Sequence, residues 1–98
     1  MSEVENRHRH LFLRQAGPDQ VFRVVFRDGE VFHLRQFSEI DSSIYGLPDG
    51  WCAEIVKFEN PRSEHHKKLL RAGSGLDFYE SDIVEITDVA RGVTVFPS

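Results

Sequence analysis

Apolar and polar positions alternate most regularly between residues 21 and 37, VFRVVFRDGEVFHLRQF. Two β-rich runs flank Asp28-Gly29, a strong local signal for a hairpin. Strand side chains alternate between faces, so Phe22, Val24 and Phe26 share one side and Val21, Arg23, Val25 and Arg27 the other. In the second run Phe32 and Leu34 share a side, against Val31, His33, Arg35 and Phe37. A two-residue loop pairs Arg23 with Leu34 and Val24 with His33, which mixes the faces. A three-residue loop, Arg27-Asp28-Gly29, pairs Val24 with Phe32 and Phe22 with Leu34. That register keeps an apolar face whole, and a slip by one residue destroys it. It also places Gly29 where a left-handed residue closes a type I turn with a bulge. The opposite face is half apolar and half basic, so it is either solvated by its Arg heads or covered by another element.

Upstream, residues 10–14 (HLFLR) read as a short first strand, followed by a Gly-Pro turn in QAGPDQ. Residues 38–50 (SEIDSSIYGLPDG) hold Gly, Pro and small polar residues, and read as a loop with one helical turn after Ser38. Ile44, Tyr45 and Leu47 imply that this loop packs down. WCAEIVKF, residues 51–58, reads as a central strand because both of its faces are partly apolar. In residues 60–73 Asn60 suits an N-cap, Pro61 the first helical position and Gly73 a left-handed stop. The spacing predicts a surface helix over 61–72, the alternative being a β-arm or an irregular loop. GSGLDFYES reads as a loop whose aromatics cover the core edge. DIVEITDV and VTVF read as strands joined by a tight turn at Gly92.

These elements predict a mainly β domain with one short helix: a small, strongly bent antiparallel sheet or a partly open barrel, SH3-like in size and strand count. Residues 1–9 read as a flexible tail and 10–98 as one domain. The expected core is Leu11, Leu13, Phe22, Val24, Phe26, Phe32, Leu34, Trp51, Ile55, Val56, Leu69, Phe78, Ile83, Ile86 and Val95.

Composition changes this picture little. With 98 residues, 40% hydrophobic and 29% charged, the chain is sized for one modest core. No apolar run approaches the ~20 residues of a membrane span. The opening MSEVENRHRH does not read as a secretory signal. A single cysteine makes no internal disulfide, so a reducing, cytoplasmic setting is expected.

Charge changes it more. The net charge of −4 hides a basic segment, RSEHHKKLLR at 62–71, between acidic stretches. Arg62, His65, Lys67, Lys68 and Arg71 there, with Arg23 and Arg35 on the hairpin, are the candidate partner-binding residues. They suit an acidic protein surface or a phosphate backbone, although charge runs are more often solvated faces opposite the chain's own acids. No basic-aromatic RNA-binding motif accompanies them.

Catalytic and cofactor signals are weak. His8 and His10 form an i, i+2 pair and His65 and His66 are adjacent, but neither pair has a third ligand at metal-site spacing. Cys52 follows Trp51 in an apolar strand, which favours an inert thiol over a nucleophile. Asp77, Glu80, Asp82 and Glu85 read as solubility charges that discourage edge pairing. Gly73-Ser74-Gly75 lacks the lysine and the preceding strand of a phosphate loop. The expectation is therefore no metal, no cofactor and no enzymatic activity. The chain reads as a non-enzymatic module that recognises a protein partner or self-associates. The alternative is weak nucleic-acid binding through the basic helix and the Arg-rich sheet face.

Overall fold

The hairpin at Asp28-Gly29 forms in the predicted register. In the computed structural model, which describes residues 12–40, 50–60 and 71–97, β1 (Phe22–Phe26) pairs antiparallel with β2 (Val31–Ile40). Phe22 faces Leu34 and Val24 faces Phe32. Gly29 takes φ 94°, a region open to glycine and costly for other residues. Local hydrogen bonds hold the loop. The Gly29 N–H donates to the Phe26 carbonyl at 2.9 Å, the Phe26 N–H to the Glu30 carbonyl at 2.9 Å, and the Glu30 N–H to Asp28 Oδ1 at 2.9 Å.

Beyond the hairpin the chain adds β3 (Gly50–Asn60), β4 (Gly75–Tyr79), a 3-10 turn (Glu80–Asp82), β5 (Ile83–Asp88) and β6 (Val93–Phe96). The six strands make one antiparallel sheet in the order β4-β3-β2-β1-β5-β6, and it does not close into a barrel. The protein is a small, mainly β domain, with no helix of seven residues or more among those described.

The sheet is strongly bent. Strands β1 and β4 have two others between them, so on a flat sheet their backbones would lie ~14 Å apart. Yet the rings of Phe26 on β1 and Phe78 on β4 have centroids 5.2 Å apart. The bend lets three residues, Glu80–Asp82, carry the chain from β4 at one edge to β5 on the far side of β1. The Arg27 N–H donates to the Asp82 carbonyl at 2.8 Å and ties this turn to the hairpin tip.

One residue sets part of the curvature. Arg35 pairs with Glu54, but Ser38 pairs with Cys52, so Gln36 and Phe37 together oppose Ala53. This is a β-bulge, with Gln36 at φ 57°. The extra residue turns Phe37 from the outer face, where simple alternation puts it, to the inner one. There its exposure is 7% and its ring meets Phe22, Trp51 and Phe78 at 5.8, 6.4 and 6.4 Å.

The core lies on the concave face. Phe22, Val24, Phe26, Phe32, Leu34, Trp51, Ile55, Ile83 and Ile86 are buried there as expected, with Phe78 and Val95 partly buried against them. Val56 is not part of it. It lies on the outer face, unpaired where His33 pairs with Lys57 and Leu34 with Ile55, and is 36% exposed. Leu11 and Leu69 lie outside the described residues. Trp51 is fully buried, and its indole Nε1–H donates to Glu80 Oε1 at 2.9 Å.

Several expected elements are corrected. Residues 12–15 form one helical turn, α1 (Phe12–Gln15), rather than a strand. A single turn suffices to bury Leu13 before the Gly17-Pro18 turn. Ser38–Ile40 belong to β2, paired with Cys52–Gly50, instead of a loop. Residues 75–79 are strand β4, paired with β3, and not a loop. Asn60 ends β3 opposite Val31, and its side-chain amide donates to the Gly29 carbonyl at 2.8 Å; the helix it is expected to cap lies outside the described residues. Gly73 has the expected positive φ of 92°, but it serves a turn in which its N–H donates to the Ile55 carbonyl at 2.7 Å. The predicted tail, residues 1–9, and residues 61–70 of the predicted helix lie outside the described residues.

Candidate functional site

The convex face of the sheet carries the two hairpin arginines singled out from the sequence. Arg23 on β1 lies opposite His33 on β2. Its guanidinium grips Glu59 of β3 with two hydrogen bonds, Nε to Oε2 at 2.9 Å and Nη2 to Oε1 at 2.7 Å. His33 Nε2 shares a hydrogen bond with the same Oε2 at 2.8 Å, and Glu85 of β5 approaches Arg23 at 3.7 Å. Farther along β2, Arg35 donates to Glu54 at 3.3 and 3.2 Å and lies 3.9 Å from Asp19. Strand pairing dictates this geometry, since Arg35 and Glu54 are direct cross-strand partners.

The electrostatic result is mutual stabilisation. Hydrogen bonds from Arg23 and then His33 hold the Glu59 carboxyl down at about 2. Both guanidiniums are pushed up, Arg23 chiefly by its bond to Glu59 and Arg35 by its bond to Glu54. Arg23 and Arg35 thus share a face, but each is matched by carboxylates, and the face is not an open basic field. Arg71 is exposed in the turn leading into β4. Arg62, His65, Lys67 and Lys68 lie outside the described residues.

Cys52 is half-buried, opposite Asp77 of β4. Burial, followed by a hydrogen bond to Asp77, pushes its thiol pKa up, so the sulfur stays protonated and is a poor nucleophile. Among the described residues no group of three or more His, Cys, Asp or Glu is placed to hold a metal ion. None of the described helices is long and apolar enough to cross a membrane.

The bend of the sheet creates a second surface, which sequence reasoning missed. A groove of about 660 Å³ opens between the hairpin tip and the end of β4. Phe26, Phe32, Leu76 and Phe78 line its apolar part, with Ile40 and Tyr79 beside them. Among the described residues, four acids line it as well, Asp28, Glu30, Asp77 and Asp82, against a single cation, Arg27. The Arg27 guanidinium is turned to a backbone carbonyl, donating from Nη2 to Ser81 O at 2.6 Å. Glu30 is buried, whereas Asp28, Asp77 and Asp82 are exposed. No hydrogen bond or ion pair among the described residues engages the Asp82 carboxylate, and Tyr79 is 38% exposed.

Two short segments bring these groups together. The Asp28-Gly29 turn supplies one lip, and DFYESD, residues 77–82, supplies the other as strand end and 3-10 turn. The visible signal was the mixing of aromatics with acids in 77–82. Alternation in so short a run does not separate a strand from a loop, so the pattern alone does not reveal the lip. The acids of this region divide their work: Asp77 and Asp82 line the groove, Glu80 receives the Trp51 indole, and Glu85 faces Arg23.

Compared with known proteins, the chain matches no family model, no curated protein and no solved structure.

Proposed function

We propose that the chain is a non-enzymatic binding module that recognises a protein partner through the groove between the hairpin tip and β4. The carrying observation is the groove itself: aromatic walls, an acidic rim, and a volume within the ~300–1,000 Å³ of sites that take ligands. Residues of stacking and packing type line it, as they do the anchor points of protein interfaces. A partly open SH3-like barrel is the finer reading of the fold, supported by the three-residue turn between β4 and β5 and the contact of Phe26 with Phe78. The single free thiol suits a reducing compartment such as the cytoplasm.

Weak nucleic-acid binding is the competing reading. It draws less support from the described surface, because the carboxylates on Arg23 and Arg35 compete with phosphate for the guanidiniums. Self-association is the second form of the protein-binding reading. Strand β6, VTVF, is an uncharged edge strand with Val93 exposed, and such edges invite pairing.

Immobilised protein and its variants test these readings together. A protein ligand held by the wild type and by Arg35→Gln, but lost on Tyr79→Ala and on Asp82→Lys, supports the groove. A ligand held equally by the groove variants overturns it. A sedimentation coefficient constant across concentration removes self-association. A gel shift of single-stranded oligonucleotide that vanishes with salt and with Arg35→Glu moves the assignment to nucleic acid.

A further inference from the structure

We infer that the groove takes the side chain of a lysine or arginine carried on an extended segment of the partner protein, its aliphatic stem against the aromatic wall and its charged head at Asp82. The inference rests on the groove being the binding surface and adds the chemical class of what enters.

The argument is one of complementarity. Lys and Arg side chains are apolar along the stem and charged at the tip. The groove has the same division: Phe26, Phe32, Leu76 and Phe78 in its apolar part, and the acidic residues Asp28 and Asp82 at its rim. The acids of the groove are not equivalent. Asp28 Oδ1 already accepts the Glu30 N–H, and Asp77 is engaged with the Cys52 thiol. Asp82 is exposed, has no such engagement among the described residues, and sits two residues after Glu80, whose carboxyl anchors the turn to Trp51. Arg27 does not fill the role from within: its Nη2 donates to the Ser81 carbonyl, and among the described residues it forms no ion pair with Asp82. Tyr79 and Phe78 line the groove as well, and a cation is stabilised over the face of an aromatic ring. A phosphate or an acidic peptide meets repulsion from the same rim.

Short extended peptides with a Leu-Arg-Leu, Leu-Lys-Leu, Leu-Gln-Leu or Leu-Glu-Leu centre are the probes. They are titrated into the isotope-labelled full chain and followed by amide chemical shifts. The expected result is shift changes at Phe26, Phe78, Tyr79 and Asp82 with the Arg and Lys peptides. Affinity falls about tenfold for the Gln peptide, and further for Glu. Asp82→Asn should bring the Arg peptide down to the Gln level. That variant keeps the fold contact of this residue, because its backbone carbonyl, not its carboxylate, accepts the Arg27 N–H. Tyr79→Ala, at a half-open position, is the second variant and weakens all cationic probes.

Equal binding of the Arg and Gln peptides at the groove overturns the cation and leaves the groove reading standing. Shift changes confined to the convex face or to β6 overturn both. Binding of none of the peptides at millimolar concentration also overturns both.

Discussion

Glu59 is the residue on which the convex face depends, because Arg23 and His33, from neighbouring strands, share its carboxylate. Its pKa is lowered from the ordinary 4.5 to about 2. The sign follows directly: a carboxyl held down in the folded state stabilises the fold above its unfolded value, and that stabilisation is lost as pH falls from about 4.5 through about 2. Glu59 is partly exposed, so solvent screening makes the effect modest. Denaturation midpoints measured from pH 6 down to pH 2 should therefore decline, and Glu59→Gln should flatten that decline. Glu80 is the buried counterpart. Glu80→Ala removes the acceptor of the Trp51 indole N–H and should cost about 1–3 kcal/mol of unfolding free energy, with a change in Trp51 fluorescence.

At the scale of elements, the hairpin was legible and the bulge was not. Two faces of opposite character made the register of β1 and β2 the only one that kept Phe22, Val24, Phe32 and Leu34 together, and Gly29 marked the turn. Gln36 carries no such mark. Nothing in its side chain announces a φ of 57°, and strict alternation therefore sent Phe37 to the wrong face. Val56 lies on the outer face, where alternation itself puts it; the expectation of burial comes from reading both faces of β3 as partly apolar, and the second bulge in the β2–β3 pairing brings Phe58, not Val56, to the inner side. The groove was hidden for a related reason: it joins the hairpin tip to residues 77–82, and only the bend brings them together. Of the seven residues proposed from the sequence for partner binding, Arg23, Arg35 and Arg71 are placed, and the first two are paired with carboxylates, which no local pattern forecasts because their acids come from other strands. Two outcomes follow for β2. Gln36→Gly should stabilise the protein by about 1 kcal/mol in a denaturant titration by relieving the left-handed backbone. Deleting Gln36 should instead swing Phe37 toward solvent and abolish cooperative unfolding, since removing a buried Phe side chain alone costs about 3–5 kcal/mol.

Across the whole molecule, a single sheet buries a core by curling, and the Phe26–Phe78 contact is where the curl meets itself. Phe26 is buried and Phe78 only partly so, so the two truncations should differ. Phe26→Ala should lose about 3–5 kcal/mol in thermal or chemical denaturation. Phe78→Ala should lose less, while enlarging the groove. The link Glu80–Asp82 holds that geometry with three residues, and both of its ends are fastened, one to the hairpin backbone and one to a buried indole. So short a tether leaves no slack for the two lips to part. The aperture is set when the chain folds, a visitor meets it ready-made and spends little of its affinity on ordering it, and lengthening the tether by inserted glycines should yield a laxer, less discriminating mouth.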